Sequence, residues 1–271
     1  MSISFDFMGK SVLVTGASSG IGQGVASAFA KAGADLTILS STDSIHDAAA
    51  AMHGNVKAIK CDISDASAVT LALARIVRVD VLVNNAGLEK PTPLSGTNPS
   101  GDATFERVIA INVNGTRNVT DTLINRIPDG GRIIITSSIW AKTAVGGFSA
   151  YVASKHANVG LMRTWAQELG PRGICVNAIC PGWVKTGPAM SSLGDLARAQ
   201  GTSEESLLAE IMSAQAIDGL MTPEDMADTY MFLASEGGRN ITGQAINVDR
   251  GEVMSLTLWD KLRSSPVGHV A

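Results

Sequence analysis

The chain has 271 residues, a formal net charge of −4 at pH 7 and a pI near 5.6, and 45% of its residues are hydrophobic. This size suits one large α/β domain or two small ones, with a substantial apolar core. The charge gives no basic surface for nucleic acid or acidic membranes, and no apolar run approaches the roughly 18–20 residues of a membrane span. The first residues lack the basic and apolar regions of a secretion signal, so we expect a cytoplasmic protein without nucleic-acid or membrane partners.

The chain has three cysteines, Cys61, Cys175 and Cys180. Their number is odd, no two form a C-x-x-C pair, and no histidine cluster lies near them in the sequence. This pattern favours reduced, buried thiols over a disulfide framework or a metal site. We therefore expect no bound metal.

The first half of the chain alternates short apolar runs with helical patterns. Strands are predicted at residues 11–15, 36–39, 56–60 and 79–83. Helices are predicted at residues 21–32, at residues 43–52, and from a cap at Ser64 or Asp65 to residue 77. The turn G-A-S-S-G-I-G, residues 16–22, joins the first strand to the first helix. Glycines there permit close approach of a pyrophosphate, to which the helix N-terminus offers oriented N–H groups.

The second half continues this alternation after residues 91–101, which are rich in Pro, Gly, Ser and Thr and predict a surface loop. The next predicted elements are a helix at residues 102–125, a strand ending at residue 136, and a helix that opens at Tyr151 and ends at Gly170. They are followed by a strand at residues 174–179, a mobile insert at 187–218 with one helix capped by Ser203, a helix at 224–234 and a strand at 244–248. This spacing predicts an α/β fold, a single doubly wound parallel-sheet domain spanning the chain, with the insert as a small helical substrate loop.

Polar residues follow several of the predicted strands: Asp62 after the third, Asn84 after the fourth, Ser138 after the fifth and Thr186 beyond the sixth. Ligands of such sheets bind outside the carboxyl ends of the strands. Each residue type is also common in ordinary loops, but their occurrence together on one rim favours a shared site.

Tyr151 and Lys155 lie four residues apart in a predicted helix and therefore share one helix face. With the hydroxyl of Ser138, which precedes that helix, they suit proton transfer to or from an alcohol or carbonyl oxygen. A cation about 4 Å from the phenol is worth roughly 4 kcal/mol at an effective dielectric near 20, which predicts a phenol pKa lowered by about three units. A Y-x-x-x-K spacing alone more often reflects packing with a solvated tip, so the hypothesis depends on the rest of the chain.

Six motifs occur in order along the chain and carry a family resemblance. They are T-G-A-S-S-G-I-G at residues 15–22, N-N-A-G at 84–87, I-N-V-N-G at 111–115, Ser138, Y-V-A-S-K at 151–155 and P-G-W-V-K-T at 181–186. Together they resemble the short-chain dehydrogenase/reductase family over residues 7 to about 251. The resemblance implies a Rossmann-type fold, an NAD(P)-dependent oxidoreductase and, as in most relatives, a homotetramer.

By position, the resemblance implies a catalytic tetrad of Asn112, Ser138, Tyr151 and Lys155. Tyr151 would be the general acid/base and Ser138 would hold the substrate oxygen. Lys155 would reach the ribose hydroxyls, and Asn112 would support a water linked to Lys155. The resemblance also implies a set of cofactor-binding residues: Gly16, Ser18, Ser19, Gly20, Ile21, Gly22, Ser40, Ser41, Asp62, Ile63, Asn84, Ala86, Gly87, Tyr151, Lys155, Pro181, Gly182, Val184 and Thr186.

The end of the second strand departs from the pattern of either cofactor preference. NAD-preferring relatives carry an acid there and NADP-preferring ones often a base, whereas this chain has Ser40 and Ser41. Asp43 is near enough to oppose a phosphate somewhat. We therefore expect NAD(H) and NADP(H) both to be accepted, with a slight lean to NADP.

The C-terminal segment departs as well, with V-D-R-G at residues 248–251 where relatives commonly have V-D-G-G. A tail at residues 252–271 follows. Its Trp259 and Leu262 either pack on a neighbouring subunit or belong to a disordered end.

The predicted substrate pocket comprises Trp140, Phe148, Trp183, Glu89 and Lys142, on neighbouring loops of the same rim. Core packing is the alternative for the aromatic residues, above all for Trp183. Glu89 and Lys142 favour a small polar secondary alcohol or ketone, such as a sugar, polyol or hydroxy acid.

Other functions stay open beside this one: a 3-oxoacyl-type carbonyl reductase, a non-catalytic dinucleotide-binding protein, and an epimerase or dehydratase. The complete tetrad argues against a pure binder, and the chain lacks the larger C-terminal substrate domain usual in epimerases. An enoyl reductase is disfavoured, because that branch typically spaces its Tyr and Lys more widely than residues 151 and 155.

Overall fold

Seven parallel strands form one sheet in the computed structural model, which describes residues 4–94 and 99–254. In chain order they are β1 (Ser11–Thr15), β2 (Asp35–Ser40), β3 (Val56–Lys60), β4 (Val81–Asn84), β5 (Arg132–Thr136), β6 (Cys175–Pro181) and β7 (Ala245–Val248). Their order across the sheet is β3-β2-β1-β4-β5-β6-β7. The direction of winding reverses between β1 and β4, which opens a crevice at the carboxyl ends of these two strands. The predicted parallel sheet is confirmed.

Helices cover both faces of the sheet, as a doubly wound fold requires. They are α1 (Gly20–Lys31), α2 (Ser44–Ala50), α3 (Ala66–Ala72), α4 (Pro99–Ile109), α5 (Thr116–Leu123), α6 (Ser149–Leu169), α7 (Gly187–Gln200), α8 (Glu204–Ser213) and α9 (Pro223–Ala234). One core contains buried residues of α1, α2 and α9, and a second contains those of α3, α5 and α6. Along β1, Val12 and Val14 face the first core and Leu13 the second, because successive side chains of a strand point to opposite faces.

Several predicted bounds were wrong by two to five residues. The helix expected to reach residue 77 ends at Ala72, although Asp65 does cap it by accepting a hydrogen bond from the N–H of Ala68 at 3.0 Å. The loop expected to extend to residue 101 overlaps α4, which begins at Pro99. Proline suits a first helical turn, where its missing N–H has no partner to lose. Tyr151 is not the first residue of its helix, because α6 begins at Ser149.

The helix predicted at residues 102–125 is interrupted by a π-helical turn, Ala110–Gly115, between α4 and α5. A short 3₁₀ turn, Ile124–Arg126, ends it. A π turn inserts an extra residue into the helical hydrogen-bonding pattern and is frequent at functional sites. Here it carries Asn112, whose side chain is fully buried.

The insert at residues 187–218, which the sequence predicts to be a mobile loop, contains two helices packed against the rest of the chain. Its mobility stays a prediction. The Ser203-capped helix is α8, as expected, but α7 was not predicted. Its start carried two readable signals, since the Thr186 hydroxyl accepts a hydrogen bond from the N–H of Ala189 at 3.3 Å and Pro188 lies in the first turn. A third apolar core, which contains Trp183, Leu193, Ala197 and Leu207, joins both helices to the segment after β6.

All three cysteines are buried free thiols. In the part of the chain that the structure describes, no helix is long and apolar enough to cross a membrane. The tail residues Trp259 and Leu262 lie outside the described residues.

Candidate active site

The glycine-rich turn after β1 is fixed to the end of β4 by a network of hydrogen bonds. The Thr15 hydroxyl accepts the N–H groups of Asn85 and Ala86, each at 3.0 Å. The Asn85 amide in turn donates to the carbonyls of Thr15 and Gly16 at 3.1 and 3.2 Å. Gly16 has a φ of +67°, and a Cβ there would lie 2.6 Å from the Cα of Ala86. Only glycine fits this place, and the turn therefore presents bare backbone to the crevice.

A cavity of about 360 Å³ follows the carboxyl ends of the strands, from β2 and β3 past the glycine-rich turn to β5 and β6. It brings together most of the residues that the sequence predicts for a cofactor and a substrate. They are Gly16, Ser18, Ser19, Gly20, Ile21, Ser40, Ser41, Asp62, Ile63, Ala86, Gly87, Glu89, Ser138, Trp140, Tyr151, Lys155, Pro181, Gly182, Trp183, Val184 and Thr186.

Four predicted cofactor or substrate residues lie outside this cavity. Gly22 packs under the turn, where a Cβ would lie 2.3 Å from the Gly16 carbonyl oxygen. Asn84 points away from the crevice, and its amide donates to the Thr120 hydroxyl at 3.0 Å in the core. Phe148 is buried behind Trp140, with their ring centres 5.5 Å apart.

The fourth, Lys142, is exposed, and its Nζ donates to the carbonyl of Ala245 at 2.6 Å. Lys142 was predicted to line the substrate pocket. Its side chain instead reaches a carbonyl of β7 and does not line the cavity.

Lys155 is 3% exposed, and its Nζ donates to the Thr136 carbonyl at 2.9 Å. The same Nζ lies 5.2 Å from the centre of the Tyr151 ring. The helix that carries both residues is fixed to β5 by Ser137, whose hydroxyl donates to the Lys155 carbonyl at 3.0 Å. Burial lowers the pKa of Lys155 to about 8, because an ammonium loses hydration there that the nearby negative charge of Glu89 only partly replaces.

Burial raises the pKa of the Tyr151 phenol well above its usual value, and the charge of Glu89 raises it further. A hydrogen bond with the Ser138 hydroxyl acts in the opposite direction. The phenol packs edge-on to the indole of Trp140, with ring centres 5.8 Å apart. The sequence predicted a lowered pKa for this phenol, whereas the pKa is raised in the protein with no ligand bound. The prediction counted the charge of Lys155 but not the loss of hydration on burial.

Asn112 lies behind the cavity and ties the π turn to the segment after β4. Its Oδ1 accepts the N–H of Leu88 at 2.7 Å, and its Nδ2 donates to the Leu88 carbonyl at 3.0 Å and to the Ser154 hydroxyl at 2.9 Å. Across Gly87, whose Cβ would lie 3.4 Å from Asn112 Oδ1 and 3.5 Å from Lys155 Nζ, the two side chains line one narrow space. The structure thus brings all four tetrad residues to one region.

At the β3 end of the cavity, Asp62 forms an ion pair with Arg107 at 2.6 Å and accepts a hydrogen bond from Ser64 at 2.8 Å. Partial burial alone would raise the pKa of Asp62, but these hydrogen bonds outweigh it and hold the pKa below its usual value. Sequence reasoning missed Arg107, which comes from α4 and which no local pattern connects to β3. It also missed other lining residues: Leu39, Cys61, Leu88, Ile111, Thr136, Ser137, Ile139, Pro188 and Ala189.

A row of hydroxyls marks the end of β2. Ser40 Oγ lies 2.9 Å from Ser18 Oγ and 3.3 Å from Thr42 Oγ1. Asp43 is paired with Lys60 at 2.7 Å, and the hydrogen bond and charge of that lysine lower the Asp43 pKa. The carboxylate that was expected to oppose a phosphate is therefore compensated by a neighbouring cation.

Comparison with known proteins agrees with this geometry. The sequence profile of the family described as "Enoyl-(Acyl carrier protein) reductase" matches residues 16–252. "Oxidoreductase UcpA" of Salmonella typhimurium is 36% identical over 257 residues, which cover 91% of this chain and 95% of the relative.

Two solved structures show the same fold. A short-chain dehydrogenase from Burkholderia cenocepacia in complex with NADP superposes with a TM-score of 0.77 at 28% identity, covering 91% of this chain and 98% of the other. A 3-ketoacyl-(acyl-carrier-protein) reductase from Brucella melitensis complexed with NADH gives 0.78 at 29% identity, with 91% and 99% covered. The chain belongs to the short-chain dehydrogenase/reductase family of oxidoreductases.

Proposed function

We propose that the protein is an NAD(P)-dependent oxidoreductase that interconverts a small polar secondary alcohol and its ketone, with Tyr151 as general acid/base. The observation that carries the proposal is the convergence of Ser138, Tyr151 and Lys155 at one end of the cavity that begins at the glycine-rich turn. The Ser138 hydroxyl lies near enough to the Tyr151 phenol to lower its pKa, so both can address one substrate oxygen.

The residues present fit a nicotinamide dinucleotide. The turn at Gly16 and Gly20 places positive-φ glycines beside the N-terminus of α1, where backbone N–H groups favour phosphate. Asp62 and Ile63 would contact the adenine, Lys155 the ribose, and the segment from Pro181 to Thr186 the carboxamide. When bound, the nicotinamide accepts a hydride from the alcohol carbon or returns one to the ketone.

Proton transfer in this proposal belongs to the side chains. Tyr151 takes the alcohol proton during oxidation and donates one during reduction, while Ser138 holds the same oxygen. The ammonium of Lys155 lies 5.2 Å from the centre of the phenol ring, and its positive charge would favour the phenolate. Asn112 fixes the segment that carries Gly87 and Leu88, and with it the wall opposite Lys155.

Asp43, whose charge would oppose a 2′-phosphate, is paired with Lys60. Because the lysine offsets that charge, the pairing supports acceptance of both cofactors. Ser40 and Ser41 can donate hydroxyl hydrogen bonds worth about 0.5–1.5 kcal/mol each, but they provide no forked cation. We therefore propose dual use with a slight preference for NADP. We also propose a cytoplasmic homotetramer, for which light scattering would give four times the 28.0 kDa chain mass.

A 3-oxoacyl-type carbonyl reductase is the second candidate, favoured by the similarity to the Brucella melitensis enzyme of that description. Reduction of a carbon–carbon double bond, which the family description names, fits the site less well. The paired hydroxyls of Ser138 and Tyr151 are arranged to bind an oxygen that becomes an alcohol.

A direct experiment distinguishes these functions. The purified protein is incubated with NAD⁺ or NADP⁺ and a panel of sugars, polyols and hydroxy acids, and formation of reduced nicotinamide is followed by absorbance. A 3-oxoacyl thioester with NADPH tests the second candidate. Cofactor binding by calorimetry without turnover of any alcohol, ketone or thioester would contradict both and indicate a pure binder.

A further inference from the structure

Glu89 places a carboxylate in the wall of the proposed substrate site. It lies on the segment after β4 and lines the same end of the cavity as Ser138, Trp140, Tyr151 and Trp183. On its other side is a smaller depression of about 190 Å³. Glu89 therefore separates the site from the outer surface and belongs to neither the glycine-rich turn nor the tetrad.

Helix α7 packs beside this carboxylate. Its Ser192, which is 3% exposed, lines the same outer depression as Glu89. Burial raises the pKa of Glu89, whereas the nearby Ser192 hydroxyl and the charge of Lys155 favour its ionised form. The charge acts at the reacting groups, because it raises the pKa of both Tyr151 and Lys155.

No free cation faces Glu89 to receive a substrate carboxylate among the described residues that line this end of the cavity. Lys142 is directed to the Ala245 carbonyl. Arg107 is paired with Asp62 at the β3 end. Lys155 donates to the Thr136 carbonyl and is the lysine assigned to the ribose. A carboxylate in the substrate would therefore meet the like charge of Glu89, which Lys155 offsets in part, in a partly desolvated site where such repulsion is strong.

The surroundings of Glu89 suit a hydroxyl-bearing skeleton. The rings of Trp140 and Trp183 lie 6.3 Å apart and nearly perpendicular, and they offer apolar surface to carbon atoms. An ionised carboxylate accepts hydrogen bonds and donates none, so it recognises O–H groups.

We propose that Glu89 is a specificity-determining residue that accepts a hydrogen bond from a second hydroxyl of the substrate, and that the substrate is a neutral polyol or sugar rather than a hydroxy acid. This inference rests on the proposed function and narrows it. It removes the hydroxy acids that the sequence left open.

Two matched pairs of alcohols test the inference on the whole protein. Propane-1,2-diol and lactate differ only in carrying CH₂OH or COO⁻ beside the reacting carbon, and butane-1,3-diol and 3-hydroxybutyrate differ in the same way one carbon further out. The ratio of kcat/KM for diol and acid is measured at about pH 9, above the usual range of carboxyl pKa values. We expect the wild-type protein to prefer the diol of at least one pair by tenfold or more.

Glu89→Gln keeps the shape but removes the charge, and it should lower the diol-to-acid ratio by about tenfold. Glu89→Lys should invert the preference. Asp195→Asn is the matched control, because it removes a carboxylate of α7 that lines the outer depression but not the cavity. Its diol-to-acid ratio should stay within about threefold of wild type.

A wild-type preference for the acids, or an unchanged ratio in Glu89→Gln, would overturn this inference while leaving the oxidoreductase proposal intact. A fall in the ratio for Asp195→Asn as large as that for Glu89→Gln would also overturn it, because a carboxylate outside the cavity would then have the same effect as Glu89. Absence of turnover with every alcohol and both cofactors would contradict the proposed function and the inference together.

Discussion

At the scale of single residues, the site buries groups whose charged forms the proposed proton transfer requires. In that proposal Tyr151 loses its proton and Lys155 keeps its own, yet burial opposes both charges. The nearby Ser138 hydroxyl and the proximity of the two charged groups act against this effect of burial. Pairs of groups with pKa values shifted in this way mark proton-transfer sites in enzymes.

Replacement of Tyr151 by Phe should abolish nearly all turnover, because it removes the proton acceptor and leaves the ring that packs against Trp140. General acid–base catalysis is typically worth 10²–10⁴-fold, so we expect a loss of kcat in that range or beyond. Steady-state kinetics measures the loss, and calorimetry with the cofactor together with thermal unfolding serves as the control for an intact fold. A variant within about tenfold of wild-type kcat would contradict the role assigned to Tyr151.

The buried ammonium of Lys155 should make stability depend on alkaline pH. Its folded-state pKa of about 8 lies below the 10.5 of a fully hydrated lysine, so the unfolded chain holds more protons between these values. The resulting cost, on the order of 3 kcal/mol from 1.36 kcal/mol per pK unit, is full below about pH 8 and is lost as pH rises toward 10.5. Stability relative to Lys155→Met should therefore rise by about 2–3 kcal/mol between about pH 7 and pH 10.

Denaturant unfolding of wild type and Lys155→Met at both pH values measures this difference. Lys185→Met, which removes an exposed lysine on the same rim, is the matched control and should follow wild type. A pH-independent difference between wild type and Lys155→Met would contradict the buried ammonium.

At the scale of elements, the π turn between α4 and α5 and the paired helices α7 and α8 shape the two walls of the site. The π turn presents Asn112 to the segment after β4, and the helices join Trp183 to a separate apolar core. A regular helix through Ala110–Gly115 would rotate the following residues and withdraw Asn112 from Leu88.

Replacement of Asn112 by Ala should destabilise the fold by about 1–3 kcal/mol, because the buried N–H of Leu88 and the Ser154 hydroxyl lose a partner. Turnover should fall as well, since the wall opposite Lys155 loses its support. Urea unfolding and kinetics measure the two effects. Asn114→Ala in the same turn is the control, because Asn114 is exposed and its loss should stay within about 0.5 kcal/mol. Equal effects of the two variants would show that the hydrogen bonds of Asn112 have no special part.

At the scale of the whole molecule, one cavity joins the cofactor end of the sheet to the substrate end across the reversal between β1 and β4. A ligand that spans the cavity contacts elements on both sides of the reversal. It should therefore stabilise the domain as a unit, in proportion to its concentration relative to Kd.

Both NAD⁺ and NADP⁺ should raise the melting temperature, since about 2.7 kcal/mol of stabilisation is expected at a concentration of 100 Kd. Ser41→Arg should increase the shift with NADP⁺ and raise kcat/KM for NADP over NAD, because it adds a forked cation beside the row of hydroxyls at β2. Differential scanning fluorimetry and kinetics with each cofactor measure these effects. A wild-type preference beyond about a hundredfold, roughly 2.7 kcal/mol, would show that another group sets the cofactor choice.

The sequence by itself determined the parts that depend on local spacing. Apolar runs alternating with helical patterns specify a parallel sheet, and four residues between Tyr151 and Lys155 place both on one helix face. The glycine-rich turn was likewise readable, because only glycine tolerates the positive φ and close approach at Gly16.

Only the tertiary structure decided which distant groups meet and which side chains turn away. Arg107 reaches Asp62 across 45 residues, and Ser192 of α7 lines the same depression as Glu89. The same folding directs Lys142 to a carbonyl of β7. The pKa values of the site were also decided by the tertiary structure alone. Desolvation depends on what packs around a group, and the spacing of residues in the sequence does not show that.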